Sequence, residues 1–204
     1  LYGASGFQTD KMIIAGGFSS YNGVLRNFFA RLTPNGALDP TFTPGNGADG
    51  PIRFLSLRAD GKIFIGGDFL FYDDVFRNGV ALIRHDGSLD RDFNPTLMMD
   101  GSILAVAAED PTNSESRVYI GGDFTTVNGV FRGGVARLNA DGSLDLSFDP
   151  GGGTDGIVYT LVVQSDGKLL IGGAFTSVDF RSRNNIARLH PNGSLDTSFA
   201  PGSG

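Results

Sequence analysis

Aspartate is the residue with the clearest potential for chemistry in this sequence. Of the 22 acidic residues all but Glu109 and Glu115 are Asp, and Asp49, Asp100 and Asp155 each precede a glycine. If the segments that carry them surround a common axis, these three carboxylates could converge and hold Ca²⁺, which prefers oxygen ligands. The alternative is turn chemistry, since Asp bonds its own backbone in turns. The pattern lacks an EF-hand-like ligand loop, which favours the turns, and no other cofactor is expected.

A second group of candidates lies where the sequence departs from its own repeating pattern. Phe71, Tyr72, Asp73 and Asp74 place two aromatic side chains beside two carboxylates, and Arg181 belongs to another irregular stretch. Binding residues are commonly found in loops carried by a rigid scaffold, so we expect these five residues to form a ligand-binding surface. The alternative is that the loops diverge because nothing constrains them.

Arginine and aspartate also recur in pairs that are 13 residues apart. A ring of such arginines could bind an anionic glycan or a carboxylate. Alternatively, each Asp caps backbone donors or pairs with an Arg of its own or the next repeat. A feature present in every repeat serves the repeat, which favours the structural interpretation. The pairs are Arg26 and Asp39, Arg77 and Asp90, Arg132 and Asp145, and Arg183 and Asp196.

No catalytic residue is predicted. His85 and His190 are the two histidines, and neither has an evident Ser or Asp partner for a hydrolytic triad. A glycosidase needs two carboxyl groups about 5–9 Å apart, whereas turn formation accounts for nearly all of the aspartates. Gly121-Gly122 does not indicate a phosphate loop, because no helix follows it.

A Gly-Gly pair that closes a short apolar run sets the organisation of the chain. Its first glycines are 50, 55 and 51 residues apart, a period that indicates a repeat architecture. The repeats cover approximately 1–50, 51–100, 101–155 and 156–204. The four runs are Met12-Ile13-Ile14-Ala15-Gly16-Gly17, Ile63-Phe64-Ile65-Gly66-Gly67, Val118-Tyr119-Ile120-Gly121-Gly122 and Leu169-Leu170-Ile171-Gly172-Gly173.

Each repeat divides into four segments of strand-like composition, which we name A to D. Asp-Gly or Asn-Gly pairs between C and D, and Asp-Gly pairs between A and B in the second and fourth repeats, predict hairpins with type I′ turns. A loop joins B to C, and in the third repeat a polar insertion, 109–116, replaces the A–B turn and is expected to protrude. In the fourth repeat the segments are 158–163, 169–171, 185–189 and 195–199.

Four antiparallel strands in about fifty residues, repeated, predict an all-β fold of the β-propeller type. Blades that pack face to face around an axis bury both faces of each sheet, and the Gly-Gly pairs would allow that close approach. A stacked solenoid is the rival, but its coils are usually shorter. We expect one domain over 1–204, and prefer a closed ring of four four-stranded blades to an arc of a larger propeller.

The spacing from segment C to segment D predicts core positions. One apolar residue in C and a Phe in D are 13 residues apart in every repeat, and equal spacing fixes the face on which each lies. The pairs are Phe29 and Phe42, Val80 and Phe93, Val135 and Phe148, and Ile186 and Phe199.

Composition excludes several classes of protein. The net charge is −6 and the basic residues are dispersed, which argues against nucleic acid and anionic membranes as partners. No apolar run approaches the roughly 20 residues that span a bilayer, so no membrane insertion is expected. The absence of Cys excludes a disulfide framework and Cys-ligated metal.

The motif of the fourth repeat resembles the delta-60 repeat. The residues that carry the resemblance are Asp166 to Thr176, Arg183 to Leu189 and Asn192 to Phe199, and 118–148 matches nearly as well. The Gly-Gly strand is also similar to that of a kelch blade, but this chain has no Trp. The resemblance implies a β-propeller found mostly in large bacterial proteins that are often exported or attached to the cell surface. It implies no set of catalytic residues.

These observations lead us to expect a non-enzymatic propeller module of a larger bacterial surface or secreted protein. It would act as a scaffold or as a platform that binds a protein or a glycan, with neighbouring repeats of the same polypeptide as further partners. One alternative is a carbohydrate-active enzyme with its site at the mouth of the channel. Another is a structural segment of a repetitive extracellular filament.

Overall fold

A computed structural model describes residues 11–113 and 115–202, and every regular element in those ranges is a β-strand. Segment A of the first repeat lies outside the described residues. The described ranges contain no helix that could cross a membrane. In chain order the strands are β1 (Met12–Ala15), β2 (Ser20–Tyr21), β3 (Val24–Leu25), β4 (Phe29–Leu32), β5 (Ile52–Leu57), β6 (Ile63–Gly67), β7 (Phe71–Tyr72), β8 (Val75–Phe76), β9 (Val80–Ile83), β10 (Ile103–Ala108), β11 (Val118–Gly122), β12 (Thr126–Val127), β13 (Val130–Phe131), β14 (Val135–Leu138), β15 (Ile157–Val163), β16 (Leu169–Ala174), β17 (Ser177–Val178), β18 (Arg181–Ser182) and β19 (Ile186–Leu189).

Segments A, B and C form one antiparallel sheet in each of the last three repeats. The strand orders are β5-β6-β9, β10-β11-β14 and β15-β16-β19, and β1 pairs with β4 in the first repeat. Apolar and β-branched side chains fill these strands where a neighbouring repeat covers the sheet. The expected all-β repeat fold with antiparallel sheets is confirmed.

Segment D is shorter than expected. In every repeat it contributes one isolated bridge to strand C, as between Leu189 and Leu195, in place of a fourth strand. The chain turns away after the next residue because the carboxylate of Asp196 accepts the backbone N–H of Ser198. A side chain that binds its own backbone in this way competes with the ladder, so each of the last three repeats has a sheet of three paired strands and a bridge.

The type I′ turns lie elsewhere than predicted. In the C–D hairpins and in the A–B hairpins of the second and fourth repeats only the Gly has positive φ, as at Gly61 (79°). Arg58 N–H donates to the Lys62 carbonyl across a longer loop. This is the pattern of a type I turn followed by a glycine bulge. Both central residues have positive φ in the segment between B and C, as at Asp73 (47°) and Asp74 (60°). There a two-residue turn closes a small hairpin in each repeat, β2-β3, β7-β8, β12-β13 and β17-β18.

The core lies between successive repeats. One cluster joins Phe64 and Phe93 of the second repeat to Ile103 and Ile120 of the third, and equivalent clusters join the first repeat to the second and the third to the fourth. The Gly-Gly pairs permit this contact, because a Cβ on Gly121 would lie 2.9 Å from Val158 of the next repeat. Both the packing of repeat on repeat and the predicted use of the glycines are therefore present.

The predicted core pairs are confirmed in the first three repeats. Phe29, Phe42, Val80, Phe93, Val135 and Phe148 are all 0–1% exposed. The prediction is wrong for Ile186, which is 38% exposed. The reason is positional: the equivalent face of each earlier repeat is covered by the repeat that follows it.

Backbone hydrogen bonds link the repeats in sequence. Thr43 donates to Asp86, Asn94 to Asp141 and Asp149 to Asn192, each across one boundary. The equivalent bond from Ala200 to Asn35, both of which are among the described residues, is not formed. The described contacts therefore define a row of four repeats in which each packs on the next.

Candidate functional site

A buried aspartate organises the polar part of every repeat. Asp39, Asp90, Asp145 and Asp196 are 1–6% exposed and lie directly after the C–D bridge. One oxygen accepts the backbone N–H two residues further on, at 3.0 Å from Thr41 and 2.9 Å from Ser147. The other oxygen accepts cationic donors of the same repeat. As predicted, each Asp caps a backbone donor and pairs with a basic residue of its own repeat.

The basic partners are not the arginines that the spacing suggested. In the first, third and fourth repeats a strand C arginine donates Nε to the carboxylate, at 2.7–2.9 Å. The second repeat has Leu82 at this position, and Lys62 Nζ lies 2.6 Å from Asp90 instead. The sequence contained a signal for these partners, since Ala-Arg-Leu recurs in three repeats. They are Arg31, Arg137 and Arg188, together with the cations that precede strand B, Lys11, Lys62, Arg117 and Lys168.

These contacts keep the carboxylates ionised. Burial, the largest single influence on Asp145, acts to raise its pKa, but the Ser147 hydroxyl and N–H and the Arg137 guanidinium outweigh it. The pKa of Asp145 therefore lies below its ordinary value, and the pKa values of Asp39, Asp90 and Asp196 move in the same direction. A carboxylate held in this way is a structural anion, not an acid catalyst.

The arginines that precede strand C lie apart from these aspartates. In every repeat Nη1 donates to the carbonyl of the preceding residue, at 2.7–2.9 Å. Arg77 and Arg132 are 2% and 4% exposed, and Arg77 also donates to Asn94 at 3.0 Å. Burial, followed by the charge of Arg91, lowers the pKa of Arg77. Their burial leaves little of these two guanidinium groups accessible to an anionic ligand.

The three Asp-Gly aspartates fasten the segment between strands B and C to the start of strand A. Asp49 accepts the N–H groups of Leu70 and Phe71 at 2.8 and 2.9 Å. Asp100 and Asp155 repeat this geometry and also accept the hydroxyls of Thr125 and Thr176. Those hydroxyls, followed by the backbone N–H groups, hold the pKa of Asp100 and of Asp155 well below its usual range.

This geometry bears on the expected calcium site. Each of these three carboxylates accepts hydrogen bonds from the loop of its own repeat, which explains the recurrence of Asp without a metal. Within the described ranges no group of three or more His, Cys, Asp or Glu side chains is arranged to hold a metal ion.

The second-repeat loop separates its two aromatic residues. Tyr72 is fully buried, and its hydroxyl donates to the Gly87 carbonyl at 2.9 Å. Burial, then the charges of Asp73 and Asp86, raises the pKa of Tyr72. Phe71 is 41% exposed and packs edge-to-face on Phe76, with ring centroids 5.7 Å apart. Phe71 is thus the aromatic ring of this pair that lies at the surface.

Asp73 and Asp74 lie in the two-residue turn and bind the preceding connection. Asp73 accepts the Asn46 N–H at 3.0 Å, and Asp74 accepts the Asn46 side-chain amide at 2.6 Å. The fourth repeat has the equivalent turn at Asp179 and Phe180, followed by the exposed Arg181. Phe71 and Arg181 therefore occupy the small hairpins of different repeats, on the side of the molecule where strand A begins.

The insertion in the third repeat folds back on its neighbours. Glu109 accepts hydrogen bonds from Arg117 at 2.7 Å and forms an ion pair with Arg137 at 3.2 Å. The carbonyl of Pro111 accepts the N–H of Ala59 in the second repeat at 2.6 Å. Its surface is exposed as predicted, but these contacts anchor it, so it is not a free protrusion.

A cavity of about 600 Å³ lies where the strand A segments approach one another. Its lining includes Gly16 and Gly17 of the first repeat, Arg53 and Phe54 of the second, Leu104 of the third and Tyr159 of the fourth. The sequence pattern did not indicate Arg53, Leu104 or Tyr159 as site residues, because their position depends on irregular pairing within strand A.

Four antiparallel repeats, each packed on the next through strand A, define a repeat protein of the β-propeller type. The chain belongs to the family described as domain of unknown function (DUF5122) beta-propeller. The family model matches four stretches that together exceed half of the chain, residues 8–42, 58–93, 114–148 and 164–199. A comparison with curated proteins gives no significant match. The expected propeller repeat family is confirmed at this level.

Proposed function

We propose that the chain is a non-enzymatic propeller module that acts as a scaffold or binding platform within a larger exported or surface-attached bacterial protein. One observation carries the non-enzymatic part of this proposal. The recurring aspartates, the most plausible acids and nucleophiles of the chain, bind the backbone and the cations of their own repeats. Hydrogen bonds to the ionised form disfavour the proton exchange that a general acid or base needs.

Exposed apolar side chains support the platform. Leu25, Phe76 and Phe131 occupy the same position of the small hairpin in three repeats and are 45–68% exposed. Phe71 lies opposite Phe76, and Phe180 projects from the turn of the fourth repeat. Apolar side chains that recur at the surface of one set of hairpins are suited to contact with a protein or a glycan.

The function is tested with the intact chain on protein and glycan arrays, in parallel with hydrolysis assays on polysaccharides. We expect a ligand without turnover, and weaker binding after Phe71→Ala or Arg181→Ala. Hydrolysis that is abolished by Asp73→Ala, Asp74→Ala or Asp100→Ala would overturn the proposal in favour of a carbohydrate-active enzyme. Failure to bind any ligand would overturn the proposal of a binding platform. The hypothesis of a structural segment of a filament would then stand.

For the architecture we propose a closed ring of four blades. The cavity lined by all four repeats supports it, because four sheets that meet around one space are arranged about an axis. The exposed face of the fourth repeat also supports it. Ile186 occupies the position that the next repeat covers elsewhere, and in a closed ring the first repeat would cover it.

Thiol crosslinking tests closure, since the chain has no Cys. In a closed ring Ala200→Cys and Asn35→Cys lie together across the last boundary, as Thr43→Cys and Asp86→Cys do across the first. A short bismaleimide should link either pair within one chain. Links between chains for the first pair, with links within the chain for the control pair, would mean that a second copy completes the arc.

A further inference from the structure

Strand A of each of the three three-stranded sheets carries a bulge at the same position. The pairing with strand B jumps from Ile52 to Phe54 in the second repeat, from Ile103 to Ala105 in the third and from Val158 to Thr160 in the fourth. The residues passed over are Arg53, Leu104 and Tyr159. A bulge redirects one side chain out of the regular alternation, and bulges are over-represented next to functional sites.

The second glycine of the Gly-Gly pair makes this bulge possible. A Cβ on Gly67, Gly122 or Gly173 would overlap a backbone carbonyl at the start of strand A, that of Pro51, Ser102 or Ile157. Only glycine allows strand B to approach the distorted strand this closely. The Gly-Gly motif, which recurs in all four repeats, therefore fixes the position of a bulge residue whose type differs from repeat to repeat.

The three bulge residues line the cavity to which all four repeats contribute. Arg53, Leu104 and Tyr159 all contribute to its wall, beside Phe54 and the Gly16-Gly17 pair. Its volume of about 600 Å³ lies within the range of small-molecule sites. The Arg53 side chain is 50% exposed and Tyr159 is 49% exposed, so both can be reached by a ligand.

The chemistry of these positions differs from that of the core. The position before each bulge keeps Ile or Val, at Ile52, Ile103 and Val158, because it packs against the preceding repeat. The bulge positions carry a base, an aliphatic residue and an aromatic residue. The backbone repeats here and the side chains do not, which is the arrangement of a scaffold that presents a set of different contact groups.

The electrostatics favour an uncharged ligand. Arg53 donates Nε to Asp68 Oδ2 at 2.8 Å, and Nη2 donates to the same oxygen, so its charge is compensated. The net charge of the chain is −6, which also disfavours an anion. A ligand suited to this wall has an apolar face for Tyr159 and Leu104, and hydroxyl groups for the Arg53 guanidinium.

We propose that this cavity binds one ring of a neutral sugar. The pyranose C–H face packs on the Tyr159 ring, and a sugar hydroxyl accepts a hydrogen bond from Arg53. The proposal rests on the proposed function as a binding platform and gives that platform a ligand class and a site.

Saturation-transfer difference NMR on the intact chain tests it, with methyl glycosides of glucose, galactose and mannose as probes and glucuronate as the anionic comparison. We expect transfer to the ring C–H protons of at least one neutral glycoside. Tyr159→Ala and Arg53→Ala should each weaken binding by roughly tenfold or more, as expected for the loss of one stacked ring or one charged donor. Tyr159→Phe should retain binding, because the ring remains.

Leu146→Ala is the control, since it removes a 69% exposed apolar side chain that lies outside both the cavity and the small hairpins, and it should leave glycoside binding unchanged. Thermal unfolding establishes that each variant is folded. Three results would overturn the sugar site: no transfer to a neutral glycoside, a preference for glucuronate, or binding that survives Tyr159→Ala. None of these affects the proposed platform, which fails instead if the chain hydrolyses a polysaccharide or binds no ligand on the arrays.

Discussion

Arg137 and Asp145 join strand C to the bridge that follows it, and the same guanidinium reaches the next repeat. Arg137 Nε donates to Asp145 Oδ2 at 2.8 Å, and Nη1 donates to the carbonyl of Pro191 at 2.7 Å. The guanidinium carbon lies 5.2 Å from the centroid of the Phe148 ring. One ion pair therefore connects the polar network of a repeat to its aromatic core and to its neighbour.

Removal of this carboxylate should strongly destabilise the chain. Asp145→Ala removes the closer of the two carboxylates that pair with the buried Arg137 and leaves only Glu109, at 3.2 Å. The loss should approach the cost of breaking a buried pair from one side, about 3–5 kcal/mol of unfolding free energy. Urea unfolding followed by circular dichroism measures the change. Asp92→Ala is the control, since that side chain is 93% exposed and the variant should lie within about 0.5 kcal/mol of the parent. A similar loss in both variants would contradict a special role for Asp145.

Acid should destabilise the chain through the same carboxylates. The pKa values of Asp39, Asp90, Asp145 and Asp196 are lowered in the folded chain, whereas the unfolded chain titrates near the ordinary value of 3.8. Below that value the unfolded state binds more protons than the folded state, so the free energy of unfolding falls as pH falls.

Melting temperatures between neutral pH and strong acid measure this dependence. Stability from these carboxylates should be fully present well above pH 3.8 and should fall as the pH drops below it. Asp145→Asn should flatten the acid limb, because one of the titrating groups is gone. A melting temperature that is constant in acid would contradict the assignment.

The repeat framework could be predicted because it follows from periodic side chains. Phe29 and Phe42, for example, keep the same spacing as their counterparts, and both are buried. The partner of each aspartate could not be predicted in the same way. Arg26 and Arg31 both recur near strand C, and only the pairing of the strands decides that Arg31 faces Asp39.

Turn types and bulges could not be predicted from the sequence, for a related reason. An Asp-Gly pair fits a type I′ turn and also a type I turn with a glycine bulge, and the pairing register selects between them. The bulge at Tyr159 leaves no mark in the sequence of strand A, because it depends on the glycines of strand B. The cavity could not be predicted because the bulges that form its wall cannot be read from strand A. The surface loop around Phe71 could be predicted because its sequence departs from the repeat.

The first glycine of each pair should be sensitive to substitution only where the next repeat covers it. Gly121→Ala places a methyl group 2.9 Å from Val158 and should cost about 1–3 kcal/mol through overpacking. Gly16→Ala is the matched control, since its new methyl group would meet the Phe18 ring at an ordinary 3.8 Å. Calorimetric melting of both variants compares them, and equal effects would contradict a role for Gly121 in the boundary between repeats.

Phe180 should be replaceable with a gain in stability. It has a φ of 59° and is 90% exposed, whereas the first and third repeats have Gly23 and Gly129 at the same turn position. Phe180→Gly removes a left-handed strain of about 1–2 kcal/mol, part of which the greater backbone entropy of Gly offsets. Phe131→Gly, at a strand position, should instead destabilise. A loss of stability in both variants would contradict the strain argument.

Calcium should not change the stability of the chain, because the Asp-Gly carboxylates already serve as acceptors for their own loops. Asp100 accepts the N–H groups of Thr125 and Thr126 at 2.8 and 2.9 Å, and a metal ion would compete with these bonds. Melting temperatures with excess Ca²⁺ and with EDTA should therefore agree. Asp100→Ala should lower the melting temperature equally in both conditions, because it frees the loop from strand A, while Asp100→Asn should retain part of the stability through its amide oxygen. A rise in melting temperature with Ca²⁺ that disappears in Asp100→Ala would contradict this account and place a metal site at the start of the strands.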